Sequence, residues 1–279
     1  MKTAVALGTF DGIHIAHRLV LDLPNGSKKT AVTFLKPPKM VLFKNYELLM
    51  NFEDKVKAFE QMGFEDVLAL DFEKVKDQSP QEFLDFLYET YKPQIISCGF
   101  NFRFGKNGEG NTAFLQEYCD KKGICLKVCD EVKNDGVLVS SSYIRDLLKQ
   151  GEIEKANALL SVPFSYSGKV IEGDKRGRTM GFPTINQRYP EELVKLKFGV
   201  YKVRVLFDGK EYDGITNIGI RPTFETDYVI SETYINDFSG DLYGKNVRIM
   251  PQKFLRGEVK FSSIEELKNQ IEADINYIK

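Results

Sequence analysis

The sequence predicts two folded parts in one chain. The first is an α/β domain with a parallel sheet, and the second is an antiparallel β-barrel or sandwich that ends in a helix. In the first half, short apolar runs alternate with amphipathic helical segments, whereas after about residue 163 strands and turns follow one another. The length of 279 residues suits two domains of roughly 100–200 residues each. We expect a boundary that separates residues 1–155 from 156–279, with a helical connection over 151–160.

The first half carries the signals of alternating strands and helices. Ser79, Pro80 and Glu82 have the spacing of a capping box with proline at the first helical position, which predicts a helix to about residue 91. Strands are predicted at 3–7, 30–34, 66–70, 94–98 and 124–129, and further helices at 51–62, 111–122 and 140–151. This alternation favours a parallel sheet covered by helices on both faces.

The second half has the pattern of antiparallel strands. Residues 201–207 alternate polar and apolar side chains, and Asp208-Gly209 is a hairpin turn signal that lets 210–218 return antiparallel. Further strands are predicted at 228–235 and 245–250. Ser263 and Glu266 predict a capping box at the start of the last helix.

Composition and charge exclude several classes of protein. The 39 Lys and Arg nearly balance the 40 Asp and Glu, so the globally basic surface of a general nucleic-acid binder is absent and we expect no nucleic-acid partner. No apolar run approaches the roughly 18 residues of a membrane-spanning helix, and Asp11 interrupts the first apolar stretch too early for a signal peptide. We therefore expect no membrane partner and a cytoplasmic location.

Cysteine and histidine usage narrows the possible chemistry. The four cysteines, at positions 98, 119, 125 and 129, form no C-x-x-C pair, so we expect buried reduced thiols rather than a disulfide framework or a zinc site. The only two histidines are His14 and His17. Any imidazole chemistry must therefore take place near the N-terminus.

The first candidate site is the segment 8–17, where a strand ends, a turn follows and a helix begins. Spacing of three positions places His14 and His17 on one helix face, where imidazoles can stabilise charge that develops on a phosphate. A helix start also offers unpaired N–H groups to an anion. Gly8, Phe10 and Asp11 complete the candidate phosphate-binding turn. The alternative is an ordinary strand–turn–helix with two packing histidines.

The second candidate site is the glycine-rich segment 173–186. Gly173, Gly177 and Gly181 allow close approach of the backbone to phosphates, and positive charge comes from Lys175, Arg176 and Arg178. Thr184 and Asn186 are alternate residues of an extended segment, so their oxygens face the same way and are suitable ligands for Mg²⁺ held against ATP. No P-loop motif is present. The alternative is a glycine-rich surface hairpin.

The segment 8–17 resembles the H-x-G-H signature of the nucleotidylyltransferase superfamily, and its longer form GTFDGIHIAH resembles the prokaryotic bifunctional riboflavin kinase/FMN adenylyltransferase (FAD synthetase) family. Ala16 stands where the family usually has glycine. Segments 70–72, 79–83, 99–105 and 140–145 also resemble this family. The resemblance implies a Rossmann-like N-terminal domain in which Asn101 and Arg103 bind flavin. It also implies that Ser141, Ser142 and Arg145 bind the triphosphate.

The second half resembles the riboflavin kinase part of the same family. Segment 173–186 is similar to the signature that ends in P-T-x-N, and 199–201, 217–224, 231–238, 241–244 and 254–256 are similar to further kinase segments. The resemblance implies a β-barrel in which Glu232 is the catalytic base. It also implies that Thr184 and Asn186 hold the metal and that Arg221 and Arg256 contact the flavin.

The resemblance implies two reactions on one chain. Riboflavin is phosphorylated by Mg²⁺-ATP to FMN, and FMN is adenylylated by a second ATP to FAD and pyrophosphate. The partners are then the small molecules riboflavin, FMN and ATP, and the sequence does not indicate an oligomeric state. Two alternatives stay open: a kinase-only enzyme whose N-terminal domain is impaired by Ala16, and a non-catalytic flavin or nucleotide sensor.

Overall fold

The structure, a computed structural model, describes residues 2–173, 177, 181–221 and 228–278. These residues form two compact units. The first unit holds the chain up to Tyr143 together with Leu159–Val162, and the second holds Ile144–Ala158 and the chain from Pro163 onward. The boundary between 155 and 156 stays a prediction.

The first unit contains a parallel sheet of five strands with the order β3-β2-β1-β4-β5. The strands are β1 (Lys2–Leu7), β2 (Ser27–Phe34), β3 (Asp66–Leu70), β4 (Ile95–Gly99) and β5 (Cys125–Cys129). The helices are α1 (Ile15–Leu21), α2 (Pro38–Leu42), α3 (Phe52–Gln61), α4 (Phe72–Val75), α5 (Pro80–Tyr91) and α6 (Thr112–Lys122). The strand order reverses between β1 and β4, and open α/β sheets bind ligands beyond the carboxyl ends of the strands at that point.

The sheet is covered on both faces, as the sequence predicts. Alternate residues of β1 enter two different apolar cores: Ala4 and Ala6 pack with Phe59, whereas Val5 and Leu7 pack with Leu84. Since side chains alternate between the faces of a strand, each core lies on one side of the sheet.

Several predicted helix ends are confirmed. At α5 the Ser79 hydroxyl accepts from the Glu82 N–H while the Glu82 carboxylate accepts from the Ser79 N–H, which is the predicted capping box. Asn51 caps α3, Asn111 caps α6, and Gly123 ends α6 in the left-handed conformation. Helices α2 and α4, of five and four residues, are not predicted by the sequence pattern because they are too short to show a period.

The first unit also contains a two-stranded ribbon, β6 (Lys133–Asn134) with β7 (Val137–Leu138). Helix α7 (Ser141–Gln150) follows the ribbon, and α8 (Ile153–Leu159) follows α7. Both helices are predicted, the first from 140–151 and the second as the connection.

The second unit is a closed barrel and not a sandwich. Its six antiparallel strands have the order β10-β11-β12-β9-β8-β13. They are β8 (Tyr166–Ile171), β9 (Thr184–Arg188), β10 (Gly199–Phe207), β11 (Lys210–Arg221), β12 (Tyr228–Ile235) and β13 (Asn246–Arg256), and α9 (Ile264–Ile275) follows them. The strand pattern did not identify β8.

Two predictions are wrong in detail. Ser263 caps α9, but the Glu266 carboxylate accepts chiefly from the N–H and hydroxyl of Ser262 and only weakly from the Ser263 N–H of the predicted capping box. Cys125 is exposed because it lies on the edge strand β5, whereas the cysteines at 98, 119 and 129 are buried. Among the described residues, no helix combines the length and apolar character needed to cross a membrane.

Candidate active sites

The turn after β1 has a strained backbone. Phe10, Gly12 and Ile13 have φ values of 52°, 82° and 43°. Left-handed backbone is unusual for phenylalanine and an outlier for a β-branched residue such as isoleucine. Ile13 is fully buried, and its carbonyl accepts from the Ser161 N–H at 3.0 Å, so the surrounding structure imposes this conformation. Strain of this kind concentrates at functional sites.

The strained turn brings the two imidazoles together. His14 precedes α1 as its N-cap, and its Nδ1 accepts from the backbone N–H of His17 at 3.3 Å. The prediction that both residues lie within the helix is therefore wrong for His14, whose backbone is extended. Capping nevertheless stacks the two rings, with centroids 3.6 Å apart and an angle of 17° between the planes.

His17 is held in its neutral form. Burial, and after it the charges of His14 and Lys55, lowers the pKa of His17 well below its ordinary value of 6.5. Because Nδ1 of His14 accepts a hydrogen bond from the His17 N–H, the Nε2 position of His14 carries the N–H donor of this ring. The pair therefore combines a neutral His17 with a His14 ring whose Nε2 can donate a hydrogen bond to an anion.

Two other residues of the turn have defined surroundings. A Cβ at Gly8 would lie 2.8 Å from the ring of Phe10, so only glycine fits beneath this ring. The buried Asp11 carboxylate accepts from the Leu49 N–H at 2.9 Å and from the Tyr46 hydroxyl at 3.2 Å. Asp11 therefore links the turn to the segment before α3, and its role as a phosphate contact stays a prediction.

The start of α7 is adjacent to the same turn. Ser141 donates its hydroxyl to the Asp11 carbonyl at 2.9 Å, and Ser142 beside it is exposed. Arg145, one turn further along α7, is buried. Thus Ser141 is brought into contact with the histidine-bearing turn, as a common binding site requires.

The predicted flavin contacts Asn101 and Arg103 lie in the loop after β4 and are exposed. Strand β4 pairs with β1, so this loop and the histidine-bearing turn leave the sheet at the same edge, where the strand order reverses. The topology therefore places both residues beside the turn.

Lys55 is the main residue that the sequence reasoning missed in this unit. It is 4% exposed and donates to the carbonyls of Thr9 and Phe34 and to the Thr33 hydroxyl. The sequence does contain a signal of this burial, because Lys55 falls on the same helix face as the apolar Ala58 and Phe59, which are buried.

The barrel positions a second set of polar residues by strand register. Glu232 of β12 lies between Asn186 of β9 and Asn217 of β11, each its direct cross-strand partner. Directly paired residues point to the same face of a sheet. The three side chains therefore form one polar row on the outer wall of the barrel.

A cavity of about 310 Å³ adjoins this row. Glu232 and Asn217 line it together with the aromatic pair Phe182 and Tyr234. Its other lining residues come from Gly177 before β9, from the barrel wall, from the chain after β13 and from α9; beside Gly177 they are Thr184, Val200, Ile215, Arg256, Glu258, Val259, Phe261, Leu267, Ile271, Asp274 and Ile275. Sequence reasoning missed the contribution of α9, although Leu267, Ile271 and Ile275 recur every four residues.

A second cavity, of about 370 Å³, lies beside the first in the same unit. It is lined by Val170, Pro183, Thr184, Ile185, Thr233, Ile235 and the chain from Phe238 to Tyr243. Thr184 lines both cavities. Molecules bound in the two cavities would therefore approach each other at Thr184.

Asn186 and Thr184 fit a hard metal ion. The buried Asn186 Oδ1 has no hydrogen-bond partner among the described residues, and a buried amide oxygen without a partner is costly. A Cβ at Gly173 would overlap the Asn186 amide, at 2.2 Å from its nitrogen, so glycine is required above it. Thr184 supplies a hydroxyl oxygen two residues away on the same side of β9.

The remaining predicted residues of this site differ in their surroundings. Arg256 lines the first cavity but forms a bidentate ion pair with the buried Asp274, with an Nη2–Oδ2 distance of 2.7 Å. Arg221 ends β11 and Gly181 is exposed with a φ of 90°. The predicted phosphate contacts Lys175 and Arg178 lie outside the described residues.

The first unit is thus a Rossmann-like α/β domain and the second a closed barrel with two adjoining cavities, and the two family models identify this pair of domains as a two-domain transferase. An FAD synthetase family model matches residues 1–143, and a riboflavin kinase family model matches residues 160–279. The chain belongs to the bifunctional riboflavin kinase/FMN adenylyltransferase family.

Curated relatives support the same assignment over nearly the whole chain. The bifunctional riboflavin kinase/FMN adenylyltransferase of Bacillus subtilis (strain 168) is 36% identical over 98% of this chain and 90% of its own length. That of Escherichia coli (strain K12) is 33% identical over 97% of this chain and 90% of its own length. A crystal structure described as a macrolide-efflux protein from Streptococcus pneumoniae has a TM-score of 0.91 at 27% identity, covering 99% of this chain and 93% of that one.

The lowered pKa of His17 predicts a loss of stability in acid. The unfolded chain takes up a proton as the pH falls below about 6.5, whereas the folded chain does not, so the first unit loses up to about 1.4 kcal/mol per pH unit there. We expect the stability advantage of the wild type over His17→Gln to shrink between about pH 7.5 and about pH 5.5. Urea unfolding, monitored through the hydrogen exchange of the β1 amides, measures the difference in free energy of unfolding between the wild type and His17→Gln at each pH. An advantage that is the same at both pH values would contradict the prediction.

Proposed function

We propose that the second unit transfers the γ-phosphoryl group of ATP to riboflavin and that the first unit transfers AMP from a second ATP to the resulting FMN. The observation that supports both reactions most strongly is that one chain holds the stacked histidine pair and the Glu232 cavity. The family membership of the chain names the same two activities. The kinase-only and sensor alternatives are not favoured, since the FAD synthetase match spans the first unit despite Ala16.

In the kinase reaction, Glu232 is the proposed base. The apolar and aromatic lining of the first cavity, which includes Phe182 and Tyr234, suits the flavin ring, and the exposed Glu232 carboxylate can accept the proton of the ribityl hydroxyl. The hydroxyl oxygen then bonds to the γ-phosphorus while the bond to the leaving ADP breaks. ATP is assigned to the second cavity, because the two cavities meet at Thr184.

Mg²⁺ is the proposed metal of this site. Asn186 Oδ1 and the Thr184 hydroxyl would hold it, which gives the buried amide oxygen a partner. When bound, the ion neutralises negative charge on the phosphates. Gly173, Lys175, Gly177, Arg178 and Gly181 are proposed to contact the phosphates, and Arg221 and Arg256 the flavin.

In the adenylylation reaction, the histidine pair is proposed to stabilise charge on the α-phosphate. A phosphate oxygen of FMN bonds to the α-phosphorus of ATP while the bond to pyrophosphate breaks, so no covalent enzyme intermediate and no protein base are needed. Nε2 of His14, which carries the proton, can donate to a phosphate oxygen as charge develops. His17 stays neutral and supports the ring of His14 by stacking.

The other residues predicted for the adenylylation reaction have supporting roles in this proposal. Gly8, Phe10 and Asp11 shape the phosphate-binding turn, and Ser141, Ser142 and Arg145 bind the triphosphate and the leaving pyrophosphate. Asn101 and Arg103, in the loop after β4, bind FMN beside the turn.

The kinase assignment predicts a large and selective effect of Glu232→Gln. Loss of the base should lower the turnover number of FMN formation by about 10²–10⁴-fold. Adenylylation of added FMN should be unchanged, since it takes place in the other unit. Glu211→Gln, a change at an exposed glutamate of β11, is the matched control. Near-normal FMN formation by Glu232→Gln would exclude Glu232 as the base.

The metal assignment predicts a changed magnesium dependence in Thr184→Val. Removal of the hydroxyl should raise the Mg²⁺ concentration for half-maximal FMN formation by at least about tenfold. Even the loss of a residue that only hydrogen-bonds a metal ligand lowers metal affinity by about that factor. The magnesium dependence of FAD formation from FMN serves as the internal control. Equal Mg²⁺ requirements of wild type and variant would exclude Thr184 as a ligand.

The adenylylation assignment predicts the reverse selectivity for His14→Ala. FAD formation from FMN and ATP should fall by about 10²-fold or more, because a donor to the developing charge is lost, while phosphorylation of riboflavin continues at the wild-type rate. Both activities are measured on the same preparation. Equal loss of both activities in a folded variant would contradict the assignment.

A further inference from the structure

A buried ammonium group lies beneath the histidine-bearing turn. Lys55 of α3 is 4% exposed, and its Nζ lies 3.2 Å from the Thr9 carbonyl, 3.1 Å from the Thr33 hydroxyl and 3.0 Å from the Phe34 carbonyl. Thr9 belongs to the turn, whereas the other two residues end β2. The ammonium group thus joins the turn to the neighbouring strand.

Donors and acceptors match in number in this cluster. An ammonium group has three N–H donors, and here there are three acceptors. The Thr33 hydroxyl accepts from Lys55 and donates its own proton to the Thr9 carbonyl at 2.9 Å. The Thr9 carbonyl therefore receives two hydrogen bonds from beneath, and its orientation is fixed by both.

This carbonyl lies at the start of the strained backbone. Thr9 is followed directly by Phe10, whose φ is 52° and whose ring meets His17 at a centroid distance of 5.4 Å. A residue that fixes the Thr9 carbonyl therefore also fixes the peptide that leads into Phe10 and the position of the imidazole pair.

We propose that Lys55 is a positioning residue for adenylylation, which holds the turn between β1 and α1 in its catalytic conformation through the Thr9 carbonyl and Thr33. The proposal rests on the proposed function, because it assumes that AMP transfer takes place at this turn. Lys55 acts through the turn, and no contact with a substrate is assigned to it.

Protonation of Lys55 provides a readout that packing alone would not change. Burial lowers the pKa of Lys55 to about 8, although the facing charge of Asp11 in the turn opposes this shift. His17 of α1 faces the Lys55 ammonium group and stays neutral, and β2 faces Lys55 with the uncharged Thr33 hydroxyl and Phe34 carbonyl. Above about pH 8 the neutral amine has two N–H donors for three acceptors, so the cluster loses a hydrogen bond.

Two substitutions test the proposal, each with a matched control. Lys55→Met removes the ammonium group, and Lys57→Met changes an exposed lysine of the same helix. Thr33→Val removes the linking hydroxyl with little change of shape. Thr30→Val does the same at another fully buried threonine of β2, whose hydroxyl has no partner among the described residues.

We expect the turnover number of FAD formation from FMN to fall about 100-fold in Lys55→Met, which is the loss that a misplacement of reacting groups by about 1 Å causes. In Thr33→Val, which loses one hydrogen bond, we expect a fall of about fivefold. Both controls should stay within about twofold of the wild type. Wild-type FAD formation should decline above about pH 8, and Lys55→Met should lack this decline. Phosphorylation of riboflavin should be unchanged in all four variants.

The outcomes separate this proposal from the assignment of the site. If His14→Ala abolishes FAD formation while Thr33→Val matches Thr30→Val and the alkaline decline persists in Lys55→Met, the role of Lys55 is refuted and the site stands. If His14→Ala retains full activity, the site itself is refuted. Should Lys55→Met fail to fold, the comparison of Thr33→Val with Thr30→Val decides the question, and equal activities overturn the proposal.

Discussion

The left-handed backbone between β1 and α1 is the constraint on which the first unit depends. Phe10 and Ile13 are held at positive φ only because buried groups fix the turn from several directions: Lys55 and Thr33 at Thr9, Leu49 at Asp11, and Ser161 at Ile13. These contacts come from separate parts of the sequence. The strain is therefore sustained by tertiary structure, and its effect is to stack the two imidazoles at the point where the strand order reverses.

The second unit depends on register in the same way. In β9, β12 and β11, alternate residues face inward, where Gln187, Ser231 and Thr216 are fully buried, while Asn186, Glu232 and Asn217 face outward in one row. A slip of one residue in β12 would turn Glu232 into the barrel and remove the carboxylate from the cavity. The polar row is thus a consequence of strand pairing, which the hairpin turn at Asp208 and Gly209 helps to set.

The sequence predicts the fold well where local signals are strong. The strand at Asp66–Leu70, the capping box of Ser79 and the hairpin at Asp208 are all decided by short-range chemistry. The surroundings of residues with tertiary partners are harder to predict from the sequence. Lysine is usually a surface residue, but Lys55 is buried and donates to three acceptors. Arg256 forms an ion pair with Asp274, which lies 18 residues away in the chain. Likewise, closure of the barrel depends on pairing between distant strands, so the strand pattern alone does not distinguish a barrel from a sandwich.

The two activities of the family share FMN, so the product of the riboflavin kinase reaction is the substrate of the adenylylation reaction. The most direct measurement is a time course in which purified protein, riboflavin, ATP and Mg²⁺ are incubated together and riboflavin, FMN and FAD are separated and quantified. FMN should form first and then be converted into FAD with release of pyrophosphate. Accumulation of FMN without any FAD at high enzyme concentration would contradict the assignment of both reactions to this chain.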